Sequence, residues 1–265
     1  MTDMTSGRLL EVIQSTTRRV VSRGPLPPRP APVNETVETW YGALLAGVGT
    51  DADGAAASRY FLKPGYRSRE RPVYGPDTDR GVVHQPDVYR VAAISARQTG
   101  ASSIVDVGCG GAAKLSALAS EFQTIGIDLE PTVQACRETY PQLRFEACDL
   151  DGPHALPVAD EELGRSVIVC ADVVEHLARP EFLLTSLRLA LRHARVLVMS
   201  TPERDLTRGI RDMGPPANPG HTREWSLAEF SSLLEHHGLA PYRIGLTRSD
   251  NKTEEMHTIM AVVRP

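Results

Sequence analysis

The sequence predicts an α/β fold: a mostly parallel sheet covered by helices, ending in an antiparallel hairpin and preceded by a helical and loop-rich appendage. Three observations predict it. From residue 86 onward, short apolar runs alternate regularly with helical stretches. The last two apolar runs are joined only by a polar turn, a connection that makes an antiparallel pair. The 265 residues, 41% hydrophobic and 23% charged, suffice for one α/β core of ordinary size and a smaller unit.

The elements follow in order. Residues 7–22 carry Leu9, Leu10, Val12, Ile13, Val20 and Val21 among polar residues, the pattern of an amphipathic helix. Residues 23–32 cannot continue it, because their prolines lack an N–H and push their neighbours to extended backbone. They read as a linker, and a second helix follows Asn34 with Trp40, Leu44 and Leu45 on its apolar side. Residues 59–89 are rich in Tyr, Arg, Gly and Pro, including Tyr60, Phe61, Tyr66, Tyr74 and Tyr89. Such residues either line a ligand site or pack an appendage onto a main domain. Residues 1–85 are therefore set apart as an appendage with an acceptor-binding or lid role, of which 1–33 could remain mobile.

The main domain is expected over 86–265. A helix over 86–99 precedes the apolar strand Ser103–Val107, then a helix over 112–121. Further strands are expected at 124–127, 143–148, 167–170 and 195–200, with helices from about 131 and over 172–192. A helix over 226–237 and two strands at 242–246 and 257–263 complete the chain. The segment 201–224 is long for a loop, and long loops in compact domains are commonly functional.

In open α/β sheets, ligands bind beyond the carboxyl ends of the strands, near the point where strand order reverses. Here the first strand ends in Asp106, Val107, Gly108, Cys109, Gly110 and Gly111. Glycines permit a tight turn and close backbone approach, yet the spacing Gly108-x-Gly110-x-x-Ala113 also fits a dinucleotide fingerprint. Asp106 separates the readings, since a carboxylate there would repel a pyrophosphate and suit a ligand bearing an ammonium and a sulfonium. Asp128 closes the second strand, where it can accept hydrogen bonds from ribose hydroxyls. Asp149 closes the third, where it can meet an adenine amino group.

With these motifs in order, residues 86–265 resemble the class I S-adenosylmethionine-dependent methyltransferases. The resemblance implies a Rossmann-like seven-stranded sheet with a reversed last strand, and S-adenosyl-L-methionine as cofactor. It implies a binding set of Asp106, Gly108, Cys109, Gly110, Asp128, Leu129, Asp149, Leu150 and Ala171. A nicotinamide oxidoreductase is the rival that NADH titration would reveal.

Two further segments bear on the chemistry. Asp172-Val-Val-Glu175-His176 follows the fourth strand, and His221-Thr-Arg-Glu224-Trp225 lies before a late helix. If a helix starts at Asp172, then Asp172, Glu175 and His176 share one face. The pair of segments is similar to the metal-binding motifs of small-RNA 3′-terminal 2′-O-methyltransferases, and a related arrangement occurs in ubiquinone-pathway O-methyltransferases. That resemblance implies Asp172, Glu175, His176 and His221 as ligands of Mg2+, although aspartate replaces the family's glutamate at 172. On ligand chemistry the mixed nitrogen and oxygen set suits Mn2+ at least as well. Two alternatives stay open: His176 or His221 as a general base without metal, and a capping box with Asp172 as N-cap and Glu175 three residues on.

The net charge of −4 and pI near 6.1 argue against nucleic acid as partner, although Lys63, Arg67, Arg69 and Arg71 form a local basic run. The four cysteines, Cys109, Cys136, Cys148 and Cys170, form no C-x-x-C pair and read as reduced thiols. No signal peptide or membrane span is expected, which points to the cytoplasm. The expected function is O-methylation of a hydroxylated small molecule, a sugar or a secondary metabolite. Metal-free N- or C-methylation, an RNA 3′-end substrate and a non-catalytic cofactor-binding subunit are the alternatives.

Overall fold

Pro86 opens the first long helix, α1 (Pro86–Thr99), where its missing N–H costs nothing. Val88, Tyr89, Ala92 and Ala96 bury one face of α1, and Gly100 ends it in the left-handed region at φ 67°. The computed structural model describes residues 59–73 and 82–265. The expected helices over 7–22 and beyond Asn34, the linker between them, Tyr74 and the mobile stretch 1–33 lie outside the described residues.

After α1 come β1 (Ser103–Val107), α2 (Ala113–Ser116), β2 (Gln123–Asp128), α3 (Glu130–Thr139) and β3 (Arg144–Ala147). Then follow α4 (Asp160–Leu163), β4 (Ser166–Ala171), a 3-10 turn (Val174–His176), α5 (Pro180–Leu191) and β5 (Val196–Pro202). The chain closes with α6 (Arg204–Arg208), α7 (Leu227–His236), β6 (Arg243–Thr247) and β7 (Thr258–Val263). Among the described residues, no helix is long and apolar enough to cross a membrane.

The strands form one seven-stranded sheet in the order β3-β2-β1-β4-β5-β7-β6. The five strands β1 to β5 run parallel, and β7 runs antiparallel to both β5 and β6. The reversed last strand and the terminal antiparallel pair are therefore both present. Strand order reverses between β1 and β4, which directs ligands to the carboxyl ends of those strands.

Strands covered on both faces need apolar residues on both, and β1 and β4 are buried throughout. Two cores result. One contains Ile104, Val169, Val196 and Val198 packed with α1; the other contains Val105, Val107, Leu197 and Met199 packed with α5 and α7. Tyr60, Leu62 and Tyr66, from the segment before α1, join the second core beside Trp225.

Three expectations are corrected. The helix over 112–121 is only one turn long, because tight bonds from Leu118 N–H to Leu115 and from Ala119 N–H to Ser116 bend the chain back toward β2. The segment 172–192 is not one helix. Asp172 sits in the left-handed region at φ 52°, Leu177 is extended, and α5 starts afresh at Pro180. Asp172 is consequently no N-cap, and the helical face shared with Glu175 and His176 does not exist. The polar turn before β7 is a ten-residue connection, 248–257.

Candidate functional site

Carboxyl ends of four parallel strands bring the cofactor candidates to one edge. Gly108 follows β1 with φ 77°, and a Cβ there would lie 2.3 Å from Val173 Cγ2, so only glycine lets the loop rest on Val173. The N–H groups of Gly108 and Cys109 both donate to the Ile127 carbonyl, at 2.8 and 3.1 Å. Asp128 closes the loop from the β2 end, accepting from Gly110 N–H at 2.9 Å and from Leu129 N–H at 2.8 Å. A Cβ added at Gly110 or Gly111 would meet nothing within 4 Å, which marks the open side of the loop.

Asp106 lies beneath it, fully buried. Its Oδ2 accepts a 2.9 Å hydrogen bond from the Tyr89 hydroxyl, while Oδ1 has no partner. Burial pushes this carboxyl up to about 7, against the pull of the Tyr89 hydrogen bond and of Lys114. A buried oxygen lacking a donor, below an open glycine loop, fits a ligand that brings a charged N–H group. Asp149 is exposed at the end of β3 with Leu150 half-buried beside it, Leu129 is 46% exposed, and Ala171 is buried at the end of β4. These residues share one edge of the sheet, at the carboxyl ends of β1 to β4.

Next to it lies an acid and histidine cluster. Glu175, His176 and His221 each present a potential ligand atom, all within 4.8 Å of one another. Glu175 is fully buried; its Oε2 accepts from the Thr201 hydroxyl at 3.0 Å, and its Oε1 has no partner. Burial, then the neighbouring Asp172 charge, drives the Glu175 carboxyl well above the ordinary range. His176 Nδ1 lies 2.8 Å from the Gly220 carbonyl, which requires that nitrogen to carry the proton and leaves the lone pair on Nε2. Burial first, then His221, lowers His176 to about 4, so the ring is neutral at pH 7.

The His221 ring stands edge-on to His176 with centroids 4.7 Å apart. Its Nδ1 lies 2.6 Å from Glu224 Oε1, and its Nε2 lies 2.9 Å from Asn218 Nδ2. One carboxylate thus orients the imidazole, as commonly found behind a metal-bound or basic histidine. Asp172 stands outside the three-residue group. Its Oδ1 accepts from the Ser200 hydroxyl at 2.7 Å, and its Oδ2 accepts from the Gln85 amide.

The loop that carries His221 is fixed from the segment 59–73. Arg69 N–H donates to the Thr222 carbonyl at 2.7 Å, and its guanidinium reaches the carbonyls of Pro216 at 2.7 Å and His221 at 3.3 Å. Arg67 N–H donates to Met213, and Trp225 Nε1 donates to the Tyr60 carbonyl. Arg67 and Arg69 of the basic run are thereby engaged with loop carbonyls.

Residues not singled out beforehand also serve here: Gln85, Ser200, Thr201 and Asn218. A partial signal existed for two of them. Ser200 and Thr201 are consecutive hydroxyls at a strand end, and such neighbours face opposite sides of a sheet. The others depend on tertiary contacts that spacing does not encode.

Comparison with known proteins gives a concordant picture. Residues 88–243 match a family model described as a methyltransferase domain. A probable S-adenosylmethionine-dependent methyltransferase of Mycolicibacterium smegmatis is 34% identical over 139 residues, 51% of each chain. A protein of the same description from Mycobacterium tuberculosis is 33% identical over 138 residues, 51% of this chain and 47% of its own. The chain spans about half the length of the curated relatives it matches. Among solved structures, the methyltransferase domain of bacterial CtHen1 superposes with a TM-score of 0.50 at 18% identity, over 68% of this chain and 98% of that one. The small RNA methyltransferase HEN1 gives 0.51 at 19% identity, over 72% of this chain and 27% of that one. These two likenesses are likenesses of fold.

Proposed function

We propose, from the premise that this chain belongs to the methyltransferase-domain family, that it methylates an oxygen of a hydroxylated small molecule with the help of a divalent ion. S-adenosylmethionine is the methyl donor of the family, and when bound it supplies a methyl group on a sulfonium, already a capable leaving group. The residues of this chain then have two tasks: to align the acceptor opposite the sulfur, and to deal with the hydroxyl proton.

The glycine loop and Asp128 form the wall against which the donor's sugar would rest, and Asp106 offers its unpartnered oxygen to the donor's ammonium. Glu175, His176 and His221 would hold a divalent ion, which when bound lowers the pKa of an adjoining hydroxyl. Thr201 and Glu224 keep Glu175 and His221 in place. A sugar or a secondary metabolite with neighbouring hydroxyls suits such a site, because one oxygen can anchor while the other reacts.

The observation that carries this reading is the fully buried Glu175 Oε1, without a partner and grouped with two imidazoles. The test is turnover of S-adenosylmethionine with a panel of sugars and phenolic acceptors, after chelation and after adding back Mn2+ or Mg2+. Loss on chelation and recovery with metal supports it; unchanged turnover removes the metal.

A second reading rests on the 2.6 Å contact between His221 and Glu224. That dyad alone can serve as a metal-free general base, and chelator-resistant activity abolished in His221→Ala supports it instead. The likeness to the RNA enzymes is one of fold, and the net charge of −4 disfavours a polyanionic substrate. Activity lost after ribonuclease treatment would nonetheless favour RNA.

A further inference from the structure

A short bridge, residues 177–179, joins the 3-10 turn to α5. Leu177 is extended at φ −83° and ψ 138°, and Arg179 lies outside the helical region at φ −125° and ψ 68°. Backbone that has left helix and sheet must find its hydrogen-bond partners elsewhere. Here they come from two directions. The N–H groups of Ala178 and Arg179 donate to the two oxygens of Asp151, at 3.2 and 2.6 Å. The carbonyls of Leu177 and Ala178 accept from the Arg223 guanidinium, at 3.0 and 3.1 Å. Leu177 also accepts from the Thr222 hydroxyl at 2.8 Å.

These partners belong to different halves of the site proposed above. Asp151 follows β3, and its own N–H donates at 3.0 Å to Oδ1 of Asp149, the residue that the motif resemblance gives to the donor's adenine. Thr222 and Arg223 directly follow His221, and Thr222 N–H donates to the Glu175 carbonyl at 2.7 Å. Arg223 is 5% exposed and lies 4.1 Å from the centre of the Tyr60 ring, whose hydroxyl donates to Glu181 on α5. Among the described residues its guanidinium bonds these two carbonyls and no carboxylate. Burying a cation without a bonded anion is costly, and a planar fork is the group that can hold two adjacent carbonyls at once. The bridge is thus clamped, its N–H groups by a carboxylate from one half and its carbonyls by a guanidinium from the other.

We infer that Asp151 and Arg223 are positioning residues that couple the two halves through the bridge 177–179, so that occupation of the donor site tightens the loop presenting His221. The inference rests on the donor placement in the function proposed above and is independent of its metal half. A donor held at Asp149 steadies the loop after β3, and with it Asp151; Asp151 steadies the bridge; the bridge steadies Thr222 and Arg223. Coupling of this kind is reciprocal, so loosening the bridge from the His221 loop must weaken donor binding.

The test uses the full chain and S-adenosylhomocysteine, with affinity measured by calorimetry and amide exchange read at Thr222. In the unaltered protein, saturating S-adenosylhomocysteine slows that exchange at least about fivefold. Asp151→Ala abolishes the slowing at saturation and lowers affinity about tenfold, and Arg223→Met lowers affinity by a similar factor. The double variant stays within about threefold of the weaker single one, because both break one connection. Arg69→Ala frees the same loop at the Pro216 and His221 carbonyls without touching the bridge, and its affinity stays within about threefold of the unaltered protein. Should Arg223→Met fail to fold, Thr222→Val takes its place, since valine keeps the shape and removes the hydroxyl from Leu177. Ligand bound without slowing at Thr222 overturns the inference, as does slowing that survives Asp151→Ala. A double variant weaker by about 100-fold, the product of independent losses, also overturns it, as does an equal loss in Arg69→Ala. If the unaltered protein does not bind S-adenosylhomocysteine at all, the donor placement falls first and takes the coupling with it.

Discussion

On the proposed role of Asp106 as partner of the donor's ammonium, its burial makes donor binding depend on pH, and the effect can be sized. Its carboxyl is held up to about 7, chiefly by burial, in the absence of a ligand. If the ionised form is what receives the donor's ammonium, affinity scales with the ionised fraction. That fraction falls about 25-fold between pH 7.5 and pH 5.5, or about 1.9 kcal/mol. Calorimetric titration of S-adenosylhomocysteine across this range should show that loss. Below pH 7 it should also show uptake of close to one proton by the buffer, seen as an enthalpy that varies with buffer ionisation. Asp106→Asn should bind weakly and with a flat profile. Folding without ligand runs the other way: the raised carboxyl contributes stability that is full below pH 3.8 and is lost as pH rises through about 7. The swing is on the order of 4 kcal/mol, so Asp106→Asn should melt higher than the parent at pH 8 although it binds less. A dissociation constant constant within threefold from pH 5.5 to 7.5, or an equal slope in Asp106→Asn, would refute the reasoning.

Further outcomes can be checked with single variants. Gly108→Ala forces a methyl into Val173 and an unfavourable φ, so the melting temperature should fall by several degrees and donor binding should be lost together. Gly110→Ala meets no atom, so it should cost only about 1 kcal/mol of stability while still impairing donor binding; equal effects on both quantities would contradict the open side assigned to the loop. Glu224→Gln removes the charge behind His221 and should weaken Mn2+ binding about 10- to 100-fold with little change in donor affinity, measured by titration. Arg204 is 1% exposed and donates two bonds to Glu229 and one to Asp205, so Arg204→Ala should destabilise the chain by about 3–5 kcal/mol in urea unfolding.

Much of this molecule was legible from sequence because its strands are short, apolar and separated by helices. The run from Ser103 to Val107 has no polar alternation to confuse it with a surface strand, apart from Asp106, and that exception marked the site. The glycine loop and the acidic strand ends were readable for the same reason: each is a local feature of a few adjacent residues. What failed was also local in appearance. Asp172, Glu175 and His176 have helical spacing, but the φ of 52° at Asp172 is imposed from outside, by Gln85 and Ser200, and no spacing rule sees it. The partners of Glu175 and His221 come from a strand end and a loop far along the chain. Fixation of the His221 loop by Arg69 spans 152 residues and has no sequence signature at all.

That last connection has a kinetic consequence. The segment 59–73 and the loop 213–225 are held together by contacts between distant parts of the chain, through backbone carbonyls and the buried Tyr60 and Tyr66 rings rather than a shared sheet. Closing so long a loop is costly and slow, so this seam should form after the sheet and release before it. Amide exchange would then proceed in two tiers, with Arg67 and Arg69 exchanging well ahead of β1 and β4. On the proposed function, the acceptor side of the site would open at this seam to admit a bulky molecule while the carboxyl ends of β1 to β4 stay shut.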